Sequence, residues 1–162
     1  MIPAEIKRVE AAKNFEELKS LKDAGYNVLV DLTAIDYQGH PNPPIKERFD
    51  VVYEIMKLDA ATGDDKGRVE VRCGVDEKPV LRSAAPLWPI ADWLEREVWD
   101  MFGVGFADRE GIKRLLMYEE FEGHALRKDY PITKRQPLIG PESGELKDSP
   151  SFNIVRPTIK YE

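Results

Sequence analysis

Apolar residues recur at two spacings along this chain, and the switches between them mark out its elements. Phe15, Leu18 and Leu21 stand at helical spacing, and Asn14 followed by Glu17 three residues later has the form of a capping box. A short helix opening at Asn14 and ending by Gly25 is therefore predicted. The period then becomes two. Val28, Val30, Leu32 and Ala34 alternate with Leu29, Asp31, Thr33 and Ile35, which predicts a strand over 28–35. Phe49, Val51, Tyr53 and Ile55 mark one face of a second strand over 49–58, and Val69, Val71, Cys73 and Val75 one face of a third over 68–75. The connection between these two is too short for a crossover, so they form an antiparallel hairpin. The prolines at 41, 43 and 44 make 38–44 a loop.

Helical spacing returns near Trp88. Leu87, Ala91, Leu94, Val98 and Met101 form one apolar stripe, and Trp88, Trp99 and Phe102 a second. Pro89 suits the first helical turn and Gly103 the position just past the end. A helix apolar on two sides has two things to pack against, and one of them is expected to be another chain. Arg96 lies four residues from both Asp92 and Asp100 and is expected to bridge them. Were those carboxylates buried, truncating Arg96 would cost about 3–5 kcal/mol. A second, shorter helical pattern follows around 111–121, with Ile112, Leu115, Leu116 and Phe121.

From Ile132 the character changes. Pro137, Pro141, Pro150 and Pro157, with Gly140 and Gly144, forbid regular structure, yet Leu138, Ile139, Leu146, Phe152, Ile154, Val155, Ile159 and Tyr161 are scattered through it. Such a segment is expected to wrap over a surface, a partner's rather than its own domain's. The fold class read from the pattern is α+β: a small mixed or antiparallel sheet with helices packed on it over 1–131, then an extended, irregular, partner-binding C-terminal tail over 132–162.

Composition narrows the chemistry. The 162 residues suffice for one core without disulfides or a metal. A net charge of −6 argues against a nucleic-acid binder, which needs clustered Lys and Arg. The lone Cys73 alternates with valines and reads as an inert core residue. Neither a signal peptide nor a run of about 20 apolar residues is seen, so a cytoplasmic protein is expected, reaching a membrane only through a partner. His40 and His124 lack partners at metal-ligand spacing, and no phosphate loop or nucleophile with its base is present. Catalytic, cofactor-binding and metal-ligating residues are expected to be none. Glu97, Asp100 and His124 around a metal form a less favoured alternative, and Arg127 with Lys128 as an anion site another. The flanking Asp129 opposes an anion, so Arg127 and Lys128 are expected to meet Glu95, Glu97 or Asp100 instead.

Several runs occur together in a telling order: 31–37 (DLTAIDY), 48–53 (RFDVVY), 87–89 (LWP), Glu95-Arg96-Glu97 with Asp100-Met101-Phe102-Gly103, Arg114-Leu115-Leu116, and Gly123-His124 with Leu126-Arg127-Lys128-Asp129-Tyr130-Pro131. In this arrangement, over roughly two thirds of the chain, the sequence resembles the C subunit (thirty-kilodalton subunit) of the respiratory NADH–quinone oxidoreductase, complex I. Three departures stand out. The start is short, which leaves the sheet edge open to a different build; Arg109 stands where the pattern has His, and Ala125 where it has Pro. The resemblance implies a non-catalytic assembly subunit of the hydrophilic arm of a proton-pumping complex, on the cytoplasmic side of the cell inner membrane. It would dock the quinone-site D subunit and neighbouring peripheral-arm subunits, with flavin, iron–sulfur clusters and quinone held by those partners and no cofactor here. Equivalent subunits serve membrane-bound hydrogenases and ferredoxin- or F420-linked complexes, the alternative assignment. The residues that the resemblance marks as structural or partner-facing are Glu95, Arg96, Glu97, Asp100, Phe102, Gly103, His124, Arg127, Lys128, Asp129, Tyr130 and Pro131.

Overall fold

The computed structural model describes residues 5–76, 80–109 and 112–134. Its centre is the hairpin of β3 (Phe49–Leu58) and β4 (Asp65–Val75), paired antiparallel from Phe49 opposite Val75 to Leu58 opposite Asp65. β2 (Val28–Asp36) flanks β3 antiparallel, and β1 (Glu5–Val9) flanks β4 in parallel. The four-stranded sheet thus runs β1-β4-β3-β2 and is mixed. Helices α1 (Asn14–Asp23) and α2 (Ala91–Phe102) supply Leu18, Leu21, Val98, Met101 and Phe102 to one core with Phe49, Val51, Tyr53, Ile55, Val69, Val71 and Cys73. Burial pushes the Cys73 thiol up to about 12, so it stays a protonated core residue. A short parallel pair, β5 (Val80–Arg82) with β6 (Gly105–Ala107), joins the segments before and after α2. The α+β architecture therefore holds.

Several local expectations need correction. Asn14 does not cap α1: it is buried within the first turn, and its side-chain amide donates to the Tyr53 hydroxyl at 3.1 Å. A 3-10 turn at Ala11–Lys13 leads in instead. The alternation in β2 slips at a bulge, where the register shifts between Leu29 and Asp31. Leu29 and Leu32 both face the core, while Val30 is exposed. Pro89 stands in the turn before α2 rather than inside it, whereas Gly103 ends the helix in the left-handed region, φ 75°, with its N–H on the Trp99 carbonyl at 2.8 Å. The second helical pattern is not a helix: 112–121 is an irregular run. The backbone N–H groups of Leu115, Leu116 and Met117, which a helix would use internally, all donate to one carboxylate oxygen of Asp100. Residues 135–162, with most of the expected tail, lie outside the described residues.

Candidate functional site

An ionised carboxylate taken out of water is costly unless donors surround it, so each buried one marks a place where the fold concentrates hydrogen bonds. Three of them organise the segments that carry the marked residues. Asp100, on α2, is fully buried. Its Oδ1 accepts from Arg114 at 2.7 Å and its Oδ2 from the backbone N–H groups of Leu115, Leu116 and Met117 at 2.9, 2.8 and 2.9 Å. Burial pushes its pKa up, but these donors outweigh that and hold it below the ordinary value. Arg114 then continues outward to the carbonyls of Phe121 and Gly123, its guanidinium over the rings of Trp99 and Phe121.

Glu95, one turn earlier, is also fully buried. Its carboxylate accepts from the Ala84 N–H at 2.7 Å, the Ser83 hydroxyl at 2.8 Å and Arg109 at 3.1 Å. Burial dominates here and raises its pKa despite those donors. Arg109 also donates to the Asp92 carbonyl at 2.8 Å and pairs with the Asp92 carboxylate. The Arg at the position where the resemblance has His is thus a donor to Glu95.

Asp36, at the end of β2, completes the set. Arg48 grips both its oxygens, at 3.1 and 3.0 Å, and the backbone N–H groups of Lys128 and Gln38 add bonds at 2.8 and 3.0 Å. Burial opposes ionisation, yet these donors keep its pKa lowered. Arg48 also holds Asp129 at 2.9 Å, which lowers that carboxyl too. Two distant irregular segments, 112–118 and 123–130, are therefore tied to the helix and sheet through carboxylates.

His124 joins these centres. Its Nδ1 lies 3.0 Å from the Asp100 backbone carbonyl, an acceptor only, so Nδ1 carries the proton. Burial first, then Arg127 and Arg114, lowers its pKa and favours the neutral ring. Arg127 donates to the Phe102 carbonyl and lies over the Phe49 ring. His124 and Arg127 pack over Gly103 so closely that a Cβ there would sit 2.5 Å from the His124 Nε2 and overlap the Arg127 guanidinium. Gly103 is thus fixed twice, by its positive φ and by its neighbours.

The expected ion pairs of this region are redistributed. Arg96 bridges neither Asp92 nor Asp100: its guanidinium lies over Trp93 and donates to the carbonyls of Lys113 and Arg114 at 3.3 and 3.1 Å. Arg127 and Lys128 do not meet Glu95, Glu97 or Asp100, because the arginines at 109 and 114 already occupy the two buried carboxylates. Glu97 faces solvent, so it is not brought together with Asp100 and His124. Among the described residues no group of three His, Cys, Asp or Glu side chains is arranged to hold a metal ion. Tyr130 stacks on Phe121 at 5.7 Å, and the Pro131 carbonyl accepts from the Lys134 N–H at 3.0 Å. Asp36, Arg48 and Arg114 stood in the sequence only within the matched runs and Arg109 only as a departure from them, none as a member of a buried ion pair. The β2–β3 register, which sets Asp36 opposite Phe49 beside Arg48, was the usable signal for the first two.

Large apolar side chains are among what these centres present outward. Leu116, whose N–H is held by Asp100, has its side chain 57% exposed; Leu126 is 52% and Trp93 55% exposed, and Ile132 projects fully. Every Asp100 and Glu95 oxygen is engaged by a donor within the chain.

The family model described as "Respiratory-chain NADH dehydrogenase, 30 Kd subunit" matches residues 7–136. A relative from Thermus thermophilus named NADH-quinone oxidoreductase subunit 5 is 42% identical over 125 residues, covering 76% of this chain and 60% of that one. The chain therefore spans less than two thirds of that relative's length. The NADH-quinone oxidoreductase C subunit of Citrifermentans bemidjiense is 41% identical over 129 residues, covering 77% of this chain and 74% of that one. A solved structure, of a trypsin-resistant fragment (1-134) of Nqo5, superposes with a TM-score of 0.58 at 38% identity over 68% of this chain and 81% of that one. With most of its length matched by the model, this chain belongs to the family of the respiratory-chain NADH dehydrogenase 30 Kd subunit.

Proposed function

We propose that this chain is a non-catalytic docking subunit of the hydrophilic arm of a proton-pumping NADH–quinone oxidoreductase, seated against the quinone-site D subunit. The assembly, rather than this chain, would carry the translocase activity and hold the flavin, iron–sulfur clusters and quinone. The relatives' names support membership of such an assembly. The observation that carries the docking role is the Asp100 centre. A buried charge spends four donors to fix an irregular segment whose outward side chain, Leu116, is apolar and exposed. A large exposed apolar group on a rigid frame gains most by meeting a partner. That no helix among the described residues is long and apolar enough to cross a membrane fits peripheral attachment, proposed here on the cytoplasmic face of the inner membrane. The solved relative is a trypsin-resistant fragment, which fits a resistant body of this fold.

Co-expression with the D-subunit counterpart from the same source tests this. The two chains are expected to co-purify at a fixed ratio, and Leu116→Asp with Leu126→Asp to abolish capture while leaving the melting temperature of the isolated chain within about 2 °C. Undiminished capture by the double variant would remove the surface from the interface.

A further inference from the structure

The body of the domain ends at β6, and the residues after it are attached by different means. Val104 and Phe106 are core residues, but no residue of 112–134 is buried; Met117 and Ala125 only lean on the core from outside. Apolar burial, which holds the body together, therefore contributes little to seating this segment. Polar contacts seat it instead. Asp100 takes Arg114 and the N–H groups of 115–117, Asp36 takes the Lys128 N–H, and Arg48 holds Asp129. Arg96 donates to the carbonyls of Lys113 and Arg114. The other contacts come from the end of α2. A helix leaves its last carbonyls without intrahelical donors. Those of Asp100, Met101 and Phe102 are met by the His124 ring at 3.0 Å, the Leu126 N–H at 3.1 Å and Arg127. The segment thus caps α2.

Contacts within the segment tie its two halves together. Arg114, while on Asp100, also donates to the carbonyls of Phe121 and Gly123. Phe121 meets Tyr118 edge-on at 5.7 Å and stacks on Tyr130 at 5.7 Å. Lys134 lies over the Tyr130 ring at 5.6 Å and donates to the Glu122 carbonyl at 3.3 Å. Releasing Arg114 from Asp100 loosens both halves, because one guanidinium serves both.

We propose that residues 112–134 form a strap that opens and closes as one unit on a body that stays folded. Parts of a protein with few buried apolar groups are the ones that open below global unfolding, and they do so in contiguous cooperative units. Here the shared frame makes each clasp stabilise the others. Leu116, Leu126 and Ile132 all lie on the strap. Opening therefore dismantles the docking surface, and a partner seated there holds the strap shut. That consequence rests on the docking function proposed above; the strap itself does not.

Hydrogen exchange of the full chain in urea below global unfolding tests this. The amides of Leu115, Leu116, Met117, Leu126 and Lys128 are expected to share one protection factor and one urea slope. They should exchange about tenfold or more faster than the amides of β3 and β4, with a smaller slope. Asp100→Asn should speed the Lys128 amide, which Asp36 holds, by about tenfold or more, and Asp36→Asn should do the same at Leu115–Met117. A Lys128 amide unmoved by Asp100→Asn would mean separate clasps. Strap amides with the rate and slope of β3 and β4 would mean that strap and body unfold together. Either result overturns the proposal, and the second needs only the wild-type chain. The D-subunit counterpart at about ten times its Kd should slow the Lys128 amide about tenfold. Joint opening without the counterpart, and an unchanged Lys128 rate with it bound, would overturn docking through Leu116 and Leu126 and leave the strap standing.

Discussion

Asp100→Asn is the substitution that isolates the carboxylate centre, because it keeps the volume and changes only charge and acceptor number. The wild-type carboxylate is fully buried and receives four donors, Arg114 on one oxygen and three N–H groups on the other. An amide has one acceptor atom. Its NH2 must confront either the guanidinium or the three N–H groups, and in both cases Arg114 loses its counter-charge. Breaking a buried pair by removing one partner costs about 3–5 kcal/mol, and no solvent screening reduces it here because the Asp100 side chain is wholly inaccessible. Against a total stability of about 5–15 kcal/mol for a domain, that is a large fraction. Urea unfolding followed by tryptophan fluorescence measures it, and hydrogen exchange at Leu115, Leu116 and Met117 locates it. Because donors lower the Asp100 pKa, its contribution is present above the ordinary carboxylate value and is lost as pH falls through the lowered one. The gap between wild type and variant should therefore narrow below about pH 3.8. A loss under about 1 kcal/mol at neutral pH, with unchanged exchange at those three amides, would refute the idea that the carboxylate holds the segment.

Other substitutions separate the observed geometry from what the spacing suggested. Arg96→Ala should cost about 1 kcal/mol or less, since it releases two partly exposed carbonyls and a ring contact, whereas Arg114→Ala should cost about 3–5 kcal/mol; paired urea titrations compare them. Gly103→Ala combines a left-handed backbone with overlap on His124 and Arg127, for about 2–4 kcal/mol by the same assay. Glu95 has the opposite pH sign to Asp100: burial raises its pKa, so its contribution is greatest below the ordinary glutamate value and falls as pH rises through the raised one. Wild-type stability relative to Glu95→Gln should accordingly decline across that window. For His124 the lowered pKa means stability is held above the ordinary histidine value and is lost as pH falls below it; His124→Asn should flatten that decline in thermal melts between pH 7 and 5.

The central strands were legible because each buries one face, and a period of two then leaves a clean trace: Phe49, Val51, Tyr53 and Ile55 all lie inside as spaced. β1 left none, since an edge strand with mostly exposed residues has no buried set to reveal it. Val30 was misplaced because a bulge inserts one residue without changing composition. At the site, the sequence identified Asp100 and Glu95 as carboxylates needing partners but offered Asp100 its helix neighbour Arg96, and both of them Arg127 and Lys128. The partners that serve them, Arg109 and Arg114, come from the irregular run beyond α2. Helical periodicity carries no information about that run, and its Ile112, Leu115 and Leu116 imitated a helix. The charge pattern thus gave the need, and only the fold gave the donors.

A hydrogen-exchange footprint of the chain alone against the chain in its assembled complex bears most directly on whether carboxylate-held loops form the docking surface. Amides around Tyr118, Leu126 and Ile132 should gain protection on assembly, with Leu115–Met117 already protected beforehand by Asp100. Protection that leaves all three of the former regions unchanged, in a complex that nonetheless contains the chain, would contradict it.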